Sequence, residues 1–248
     1  MLGQSAVLRQ RIEKIVKRTI NKLGYQITRM EPRSASSISQ ANIKGFEELS
    51  QNHKNYQCLK LHFGCGPRIL RGWINIDLTY APYEKYMQAL TDKYYPEEIR
   101  GDQSDLFAID ITRAGLPLPD NSVDVIFHED FLEHLNQRDQ ITFLAETLRV
   151  LKPGGIHRVN TPNLVSSMRD HSDFAKGFAG VYTDEWNRWH HLSVLTPAML
   201  EEMARMVGYS KVIFTQKDES TSALVPLEYR PAEDRPKHGG NIFADLVK

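Results

Sequence analysis

Four short stretches carry residue types able to hold a ligand. The first, Leu61-His62-Phe63-Gly64-Cys65-Gly66-Pro67, sets two glycines one residue apart behind an apolar run. Lacking a Cβ, glycine lets the backbone turn sharply and approach a bound molecule closely. A dinucleotide fingerprint would need a third glycine, but Pro67-Arg68 follows instead, so a phosphate-binding helix N-terminus is poorly supported. The second stretch, Asn75-Ile76-Asp77, ends the next apolar run in a carboxylate, which at that place in a nucleotide-binding sheet accepts hydrogen bonds from a ribose diol. Gly66 and Asp77 are eleven residues apart, against the usual spacing of about 20, so any helix between them is cut short near Gly72. Asp110-Ile111 ends a third run, and Leu116 to Asp124 forms a turn into a fourth. Each aspartate has an alternative role as a turn or cap residue.

His128-Glu129-Asp130-Phe131-Leu132-Glu133-His134 invites a metal reading. Its histidines are six apart, not the four that put two imidazoles on one helical face, since six residues turn a helix by about 600°. Asp130, Glu133 and His134 offer donors in one short stretch, but nothing else in the sequence supplies an open coordination site. No metal is expected.

These stretches need a scaffold. Short apolar runs at 58–63, 73–77, 105–110, 123–128, 156–161, 211–215 and 242–247 read as strands. Between them, Ile141, Leu144, Leu148 and Leu151 share one helical face over 137–151, and Met199, Leu200, Met203 and Val207 another over 197–207. The Pro153-Gly154-Gly155 stop after the first of these is ordinary punctuation. Such alternation predicts an α/β fold: a doubly wound, Rossmann-like, mostly parallel seven-stranded sheet. The last two strands lack a clear helix between them, which predicts an antiparallel strand at one edge. Ligands in such sheets bind at the carboxyl ends of the strands, near the point where strand order reverses.

Composition fits this architecture. Of 248 residues, 41% are hydrophobic and 25% charged, an ordinary globular balance that excludes wholesale disorder. Two cysteines, Cys58 and Cys65, exclude a disulfide scaffold and suit a reducing cytoplasm. The zero net charge conceals an asymmetry: residues 1–30 carry seven Lys or Arg against Glu13, and the remainder is correspondingly acidic. That argues against a nucleic-acid-binding body. Leu8, Ile12, Ile15, Val16, Ile20 and Leu23 form one stripe of a basic amphipathic N-terminal helix. Residues 5–23 either pack on the body or make peripheral contact with an anionic membrane face. The expected organisation is this helix (1–30), a serine-rich linker with room for a short helix (31–55), and one α/β domain (56–248).

The ordered set Gly-Cys-Gly, Asn-Ile-Asp, Leu-Pro-Leu-Pro-Asp-Asn-Ser-Val-Asp, Phe-Leu-Glu-His-Leu and Leu-Arg-Val-Leu-Lys-Pro-Gly-Gly resembles class I S-adenosylmethionine-dependent methyltransferases. The likeness is to the "type 11" group, whose first motif runs into Gly72-Trp-Ile-Asn-Ile-Asp77, and it spans about 58–215. The resemblance implies S-adenosylmethionine as cofactor, with Phe63, Gly64, Cys65 and Gly66 lining its methionine and ribose. Asp77 would hold the ribose hydroxyls and Asp110 and Ile111 would meet the adenine. His128 and Glu129 would face the sulfonium. His62 stands where many members carry an acidic residue, so the amino-acid end of the cofactor is expected to be held differently. A hydroxyl acceptor also needs a base within hydrogen-bond reach. The candidates are Glu129, His190 and His191, with His134 read as architectural.

Similar chains with a basic leader accompany bacterial surface-glycan assembly, which implies O-methylation of a small-molecule, glycan or glycolipid acceptor. Localisation is expected to be cytoplasmic, at the inner membrane face if the leader binds lipid. Tyr80, Tyr83, Tyr86, Tyr94 and Tyr95 crowd residues 79–104, an overlong connection expected to form a lid over the acceptor. Two alternatives stand beside this reading: a catalytically degenerate member that only binds, and an NAD-dependent oxidoreductase.

Overall fold

The structure, a computed structural model, describes residues 45–78, 96–170, 186, 189–228 and 240–248, with the backbone alone at 168–170. The chain divides between Ile38 and Ser39, and all described residues lie after that division. The amphipathic stripe at 5–23, the first part of the linker, the tyrosines of 79–95 and most of the stretch before His190 lie outside the described residues.

Seven strands form one sheet: β1 (Lys60–Phe63), β2 (Ile74–Asp77), β3 (Leu106–Ala108), β4 (Val123–Glu129), β5 (Leu151–Pro162), β6 (Lys211–Phe214) and β7 (Asn241–Val247). Their order is β3-β2-β1-β4-β5-β7-β6. Every pairing from β3 through β5 is parallel, while β7 is antiparallel to both β5 and β6. The reversed strand is thus second from the edge and lets β6 run in the common direction. The central strands read as nearly continuous apolar runs because helices or loops cover both their faces. The chain builds outward from β1 to β3 and then returns to place β4 on β1's other side. Strand order therefore reverses between β1 and β4.

Residues 45–52, in the tract read as a linker, form a helix (α1), and its Leu49 is fully buried in the core. Helix α2 (Gln137–Val150) starts where the Asn136 side chain accepts a hydrogen bond from the Asp139 N–H, and it buries Gln140, Phe143, Leu144, Thr147 and Val150. This face is rotated slightly from the one expected, leaving Ile141 and Leu148 half-buried at its margin. A short α3 covers Leu164–Asp170. Helix α4 (Pro197–Val207) has Thr196 as its cap, Pro197 in its first turn and Gly208 at its end, the usual asymmetry of helix termini. The Lys152-Pro-Gly-Gly155 stretch is not only a helix stop. It lies inside β5, whose register with β4 jumps from Val123↔Leu151 to Val125↔Ile156.

Two apolar clusters lie on the sheet. The larger includes Leu61, Phe63, Ile126, Phe143 and Leu144 together with Leu200 and Met203 of α4. The smaller contains Leu70, Trp73, Val125, Phe127 and Ile156. Beside the smaller cluster, residues 216–228 are strapped down by Arg158 of β5. Its guanidinium bonds both carboxylate oxygens of Glu228 (2.9 and 2.8 Å), Asp245 of β7 (3.2 Å) and the carbonyl of Gln216 (2.9 Å). Asp245 also accepts the Thr221 N–H at 2.6 Å. Among the described residues no helix is long and apolar enough to cross a membrane.

Candidate active site

The carboxyl ends of β1 to β4 form the rim on which the expected ligand residues fall. After β1 the chain turns through Gly64 (φ +58°) and Gly66 (φ +50°), conformations that side-chain-bearing residues rarely adopt. A Cβ on Gly64 would lie 2.6 Å from the ring of Phe131, so this glycine is required by packing as well as by its backbone. A Cβ on Gly66 would meet nothing within 4 Å. One glycine is pressed against the protein, and the other borders open space.

Between β1 and β2 the chain makes turns and a single bridge from Leu70 to Arg100, and one side chain closes this link. The carbonyl oxygen of the fully buried Asn75 accepts from the Leu70 N–H (2.9 Å) and from His62 Nδ1 (3.1 Å). Its amide nitrogen donates to the carbonyls of Leu70 (2.8 Å), Trp73 (3.1 Å) and Asp105 (3.1 Å). Asn75 thus satisfies backbone groups that a helix would otherwise have paired internally. The link brings Asp77 back against the glycine turn: Asp77 Oδ2 accepts the Gly66 N–H at 2.8 Å, and Oδ1 accepts the Leu78 N–H at 2.6 Å.

The other candidates occupy varied settings. Asp110 Oδ1 accepts from the N–H (3.0 Å) and hydroxyl (2.6 Å) of Thr112, and Oδ2 pairs with Arg113 at 3.3 Å, so this carboxylate fixes its own turn. Ile111, beside it, is part of the larger core cluster. Phe63, Cys65 and His128 are fully buried and support the rim from beneath. His128 lies on the α2 side of the sheet, its ring 5.7 Å from those of Phe131 and Phe143 and 5.1 Å from His157. Burial lowers its pKa to about 3, so the imidazole is neutral. His62, expected to alter the cofactor's amino-acid end, projects to the opposite face. It stacks on Phe127 at 5.1 Å, and burial, with Arg68 next, lowers its pKa to about 3.

The three candidate bases separate. Glu129 is fully buried, ion-paired with Arg68 and bonded by Asn160 Nδ2 at 3.3 Å. Asn160 is in turn bonded by Asn241 (2.6 Å), which also reaches Asp130 (3.1 Å). His190 is exposed, with φ +57°. His191 is buried, its Nε2 3.8 Å from Glu133 Oε1, and its ring lies 5.0 Å from that of His134. Glu133, fully buried, accepts from Thr161 Oγ1 at 2.9 Å. Sequence reasoning missed Asn75 and Arg68 as organisers of the rim. The compressed spacing from Gly66 to Asp77 was the available signal for Asn75, whereas the Arg68–Glu129 pair spans 61 residues and leaves no local pattern.

Residues 61–159 match a family model described as a methyltransferase domain. The chain is 51% identical over 135 residues to a probable S-adenosylmethionine-dependent methyltransferase of Mycolicibacterium smegmatis, covering 54% of this chain and 44% of that one. It is also 47% identical over 53 residues to a probable S-adenosylmethionine-dependent methyltransferase of Mycobacterium tuberculosis, covering 21% and 19%. The chain thus aligns with less than half the length of these curated relatives. Among solved structures, a SAM-dependent methyltransferase from Archaeoglobus fulgidus is similar with a TM-score of 0.44 and 14% identity, covering 83% of this chain and 93% of that one. The motifs, the sheet that carries them and the matched sequence agree: residues 61–159 are similar to a methyltransferase domain, and the chain is similar to the probable S-adenosylmethionine-dependent methyltransferases above.

Proposed function

We propose that this protein transfers the methyl group of S-adenosylmethionine to a hydroxyl of a small-molecule, glycan or glycolipid acceptor. One observation carries the reading. At the point where strand order reverses, the Asp77 carboxylate holds the Gly66 N–H at 2.8 Å beside open space over Gly66. This is a cradle that a Cβ would begin to fill, flanked by a carboxylate suited to a diol. The fit extends to charge. No helix follows the glycine turn, so the positive helix terminus that grips a dinucleotide's pyrophosphate is missing. The Asp77 carboxylate beside the turn suits the ribose of a cationic nucleoside better. The oxidoreductase alternative is disfavoured on that ground.

When bound, the cofactor supplies a methyl carbon already activated by positive sulfur, and the protein's part is alignment and exclusion of water. In this reading Gly64 and Gly66 shape the turn under the ribose, Asp77 holds its hydroxyls, and Asp110 and Ile111 border the adenine. Phe63, Cys65 and His128 fix the rim from below. The acceptor hydroxyl must lose its proton as the new bond forms. With Glu129 committed to Arg68 and Asn160, that proton falls to the His190–His191 pair.

Calorimetry on the full chain tests the cofactor. S-adenosylmethionine and S-adenosylhomocysteine should each bind with about one-to-one stoichiometry, NAD should give no heat, and Asp77→Ala should weaken binding at least tenfold. Equal heats from NAD, or no heat from either sulfur nucleoside, would overturn the reading. Formation of S-adenosylhomocysteine with a panel of sugar and glycolipid acceptors separates an enzyme from a degenerate binder.

A further inference from the structure

We infer that Glu133, His134 and His191 form a binding site for a divalent transition-metal ion. Their ligand atoms all lie within 4.8 Å of one another. Two imidazole nitrogens and one carboxylate oxygen make a donor set that favours zinc-class ions over magnesium or calcium, which take oxygen shells. Around a zinc-sized ion, donors 2.0–2.2 Å from the metal stand about 3 to 3.6 Å apart. The Glu133 Oε1 to His191 Nε2 separation of 3.8 Å is close to that. The remaining closure, about 1 Å, falls to the exposed His134, whose side chain can move.

The sequence separates these ligands by more than fifty residues, but the fold ties the two segments together. The N–H groups of Leu192 and Ser193 both donate to the Glu133 carbonyl, at 2.7 and 3.2 Å. The buried Gln140 amide bridges the carbonyls of Leu132 (2.9 Å) and Ser193 (3.0 Å). Thr161 donates to Glu133 Oε2 at 2.9 Å and so orients the carboxylate, leaving Oε1 toward His191, the outer-shell support that metal-ligating carboxylates usually have. Immediately before His191, His190 holds a positive φ of +57°, backbone strain of the kind that persists where surrounding structure demands it. Two buried ligands and one exposed ligand leave the site open on the His134 side, the arrangement of a three-ligand metal centre with a vacant position for an oxygen.

Metal binding itself does not rest on the methyl-transfer reading. Where that reading holds, the open position would take an acceptor oxygen, His191 would ligate, and His190 would remain for the proton.

The test uses the full chain, stripped with chelator and titrated with Co²⁺ followed by visible absorption, and with Zn²⁺ followed by calorimetry. One equivalent should bind, and a hundredfold excess of Mg²⁺ should leave Co²⁺ in place. His134→Ala, at an exposed position, should weaken binding at least tenfold, as should the near-isosteric Glu133→Gln. His53→Ala, outside the cluster, should not change it. Absence of stoichiometric binding, displacement by Mg²⁺, or equal affinity in His134→Ala would each overturn the site. Calorimetry with S-adenosylmethionine on the metal-stripped protein reads the cofactor site separately, so the two failures are distinguishable.

Discussion

Lowering the pH from 7 to 5 perturbs one part of this core selectively. His62, His128 and His157 are fully buried on neighbouring strands. Burial lowers the first two to a pKa of about 3, with Arg68 adding to the effect at His62 and Asp130 opposing it at His128, and burial lowers His157 well below its ordinary value. The groups facing them offer little relief: Arg68 and Asn75 at His62, Asp130 at His128, Tyr209 at His157. In the unfolded chain each would protonate near pH 6.5. Between pH 6.5 and 3 the unfolded state therefore binds more protons, so stability is unaffected at pH 7 and falls as the pH drops below 6.5. At pH 5 the loss is about 2 kcal/mol for His62 and about 2 kcal/mol for His128, with His157 adding in the same direction. A domain of ordinary stability, about 5–15 kcal/mol, would lose a large share of it. Urea denaturation at pH 7, 6 and 5 measures this directly. His128→Phe, which suits the rings of Phe131 and Phe143, should remove about 2 kcal/mol of the acid loss whatever it does at pH 7. Wild-type stability at pH 5 within 1 kcal/mol of that at pH 7 would refute the reasoning, as would an unchanged pH dependence in His128→Phe.

Three further outcomes follow from packing and hydrogen bonding. The two rim glycines should respond differently: Gly64→Ala meets Phe131 and should cost about 2–4 kcal/mol in thermal or urea unfolding. Gly66→Ala, with open space before it, should cost only about 1–2 kcal/mol yet weaken S-adenosylmethionine at least tenfold by calorimetry. Asn75→Ala removes the partner of the buried Leu70 N–H and the amide shared by the Leu70, Trp73 and Asp105 carbonyls, and should lower stability by about 2–4 kcal/mol in denaturant melts. Arg158→Met leaves Glu228 and Asp245 buried without their cation and should cost about 3–5 kcal/mol, with residues 216–228 becoming the first site of limited proteolysis.

The strands were legible in the sequence because strands buried on both faces must be apolar almost throughout, as parallel 58–63 and 123–128 and antiparallel 242–247 are. The two long helices were legible from their apolar spacing over 137–151 and 197–207, and the structure shows Asn136, Thr196-Pro197 and Gly208 setting their ends. The site was legible only in part. Asp77 lies where a strand-ending carboxylate should, and its spacing from Gly66 foretold a shortened link, in which the structure has no helix at all. His128, expected to face the sulfonium, is turned by strand alternation to the α2 side, one position from Glu129 on the other face. Asp110, expected beside the adenine, also holds its own turn through Thr112, a local bond that its position at a strand end did not reveal. Side-chain pairing across distant strands, as in Arg68–Glu129 and His191–Glu133, has no sequence period and could not be read at all.

The Arg158 assembly has an evolutionary consequence. One cation serves a strand, its antiparallel neighbour and a surface strap, so any single replacement leaves the remaining charges stranded in a dry environment. Drift at this corner is therefore blocked one substitution at a time. It is open only to lineages that exchange the whole polar set for apolar residues together, and positions 158, 228 and 245 should vary as a group in descendants of this chain.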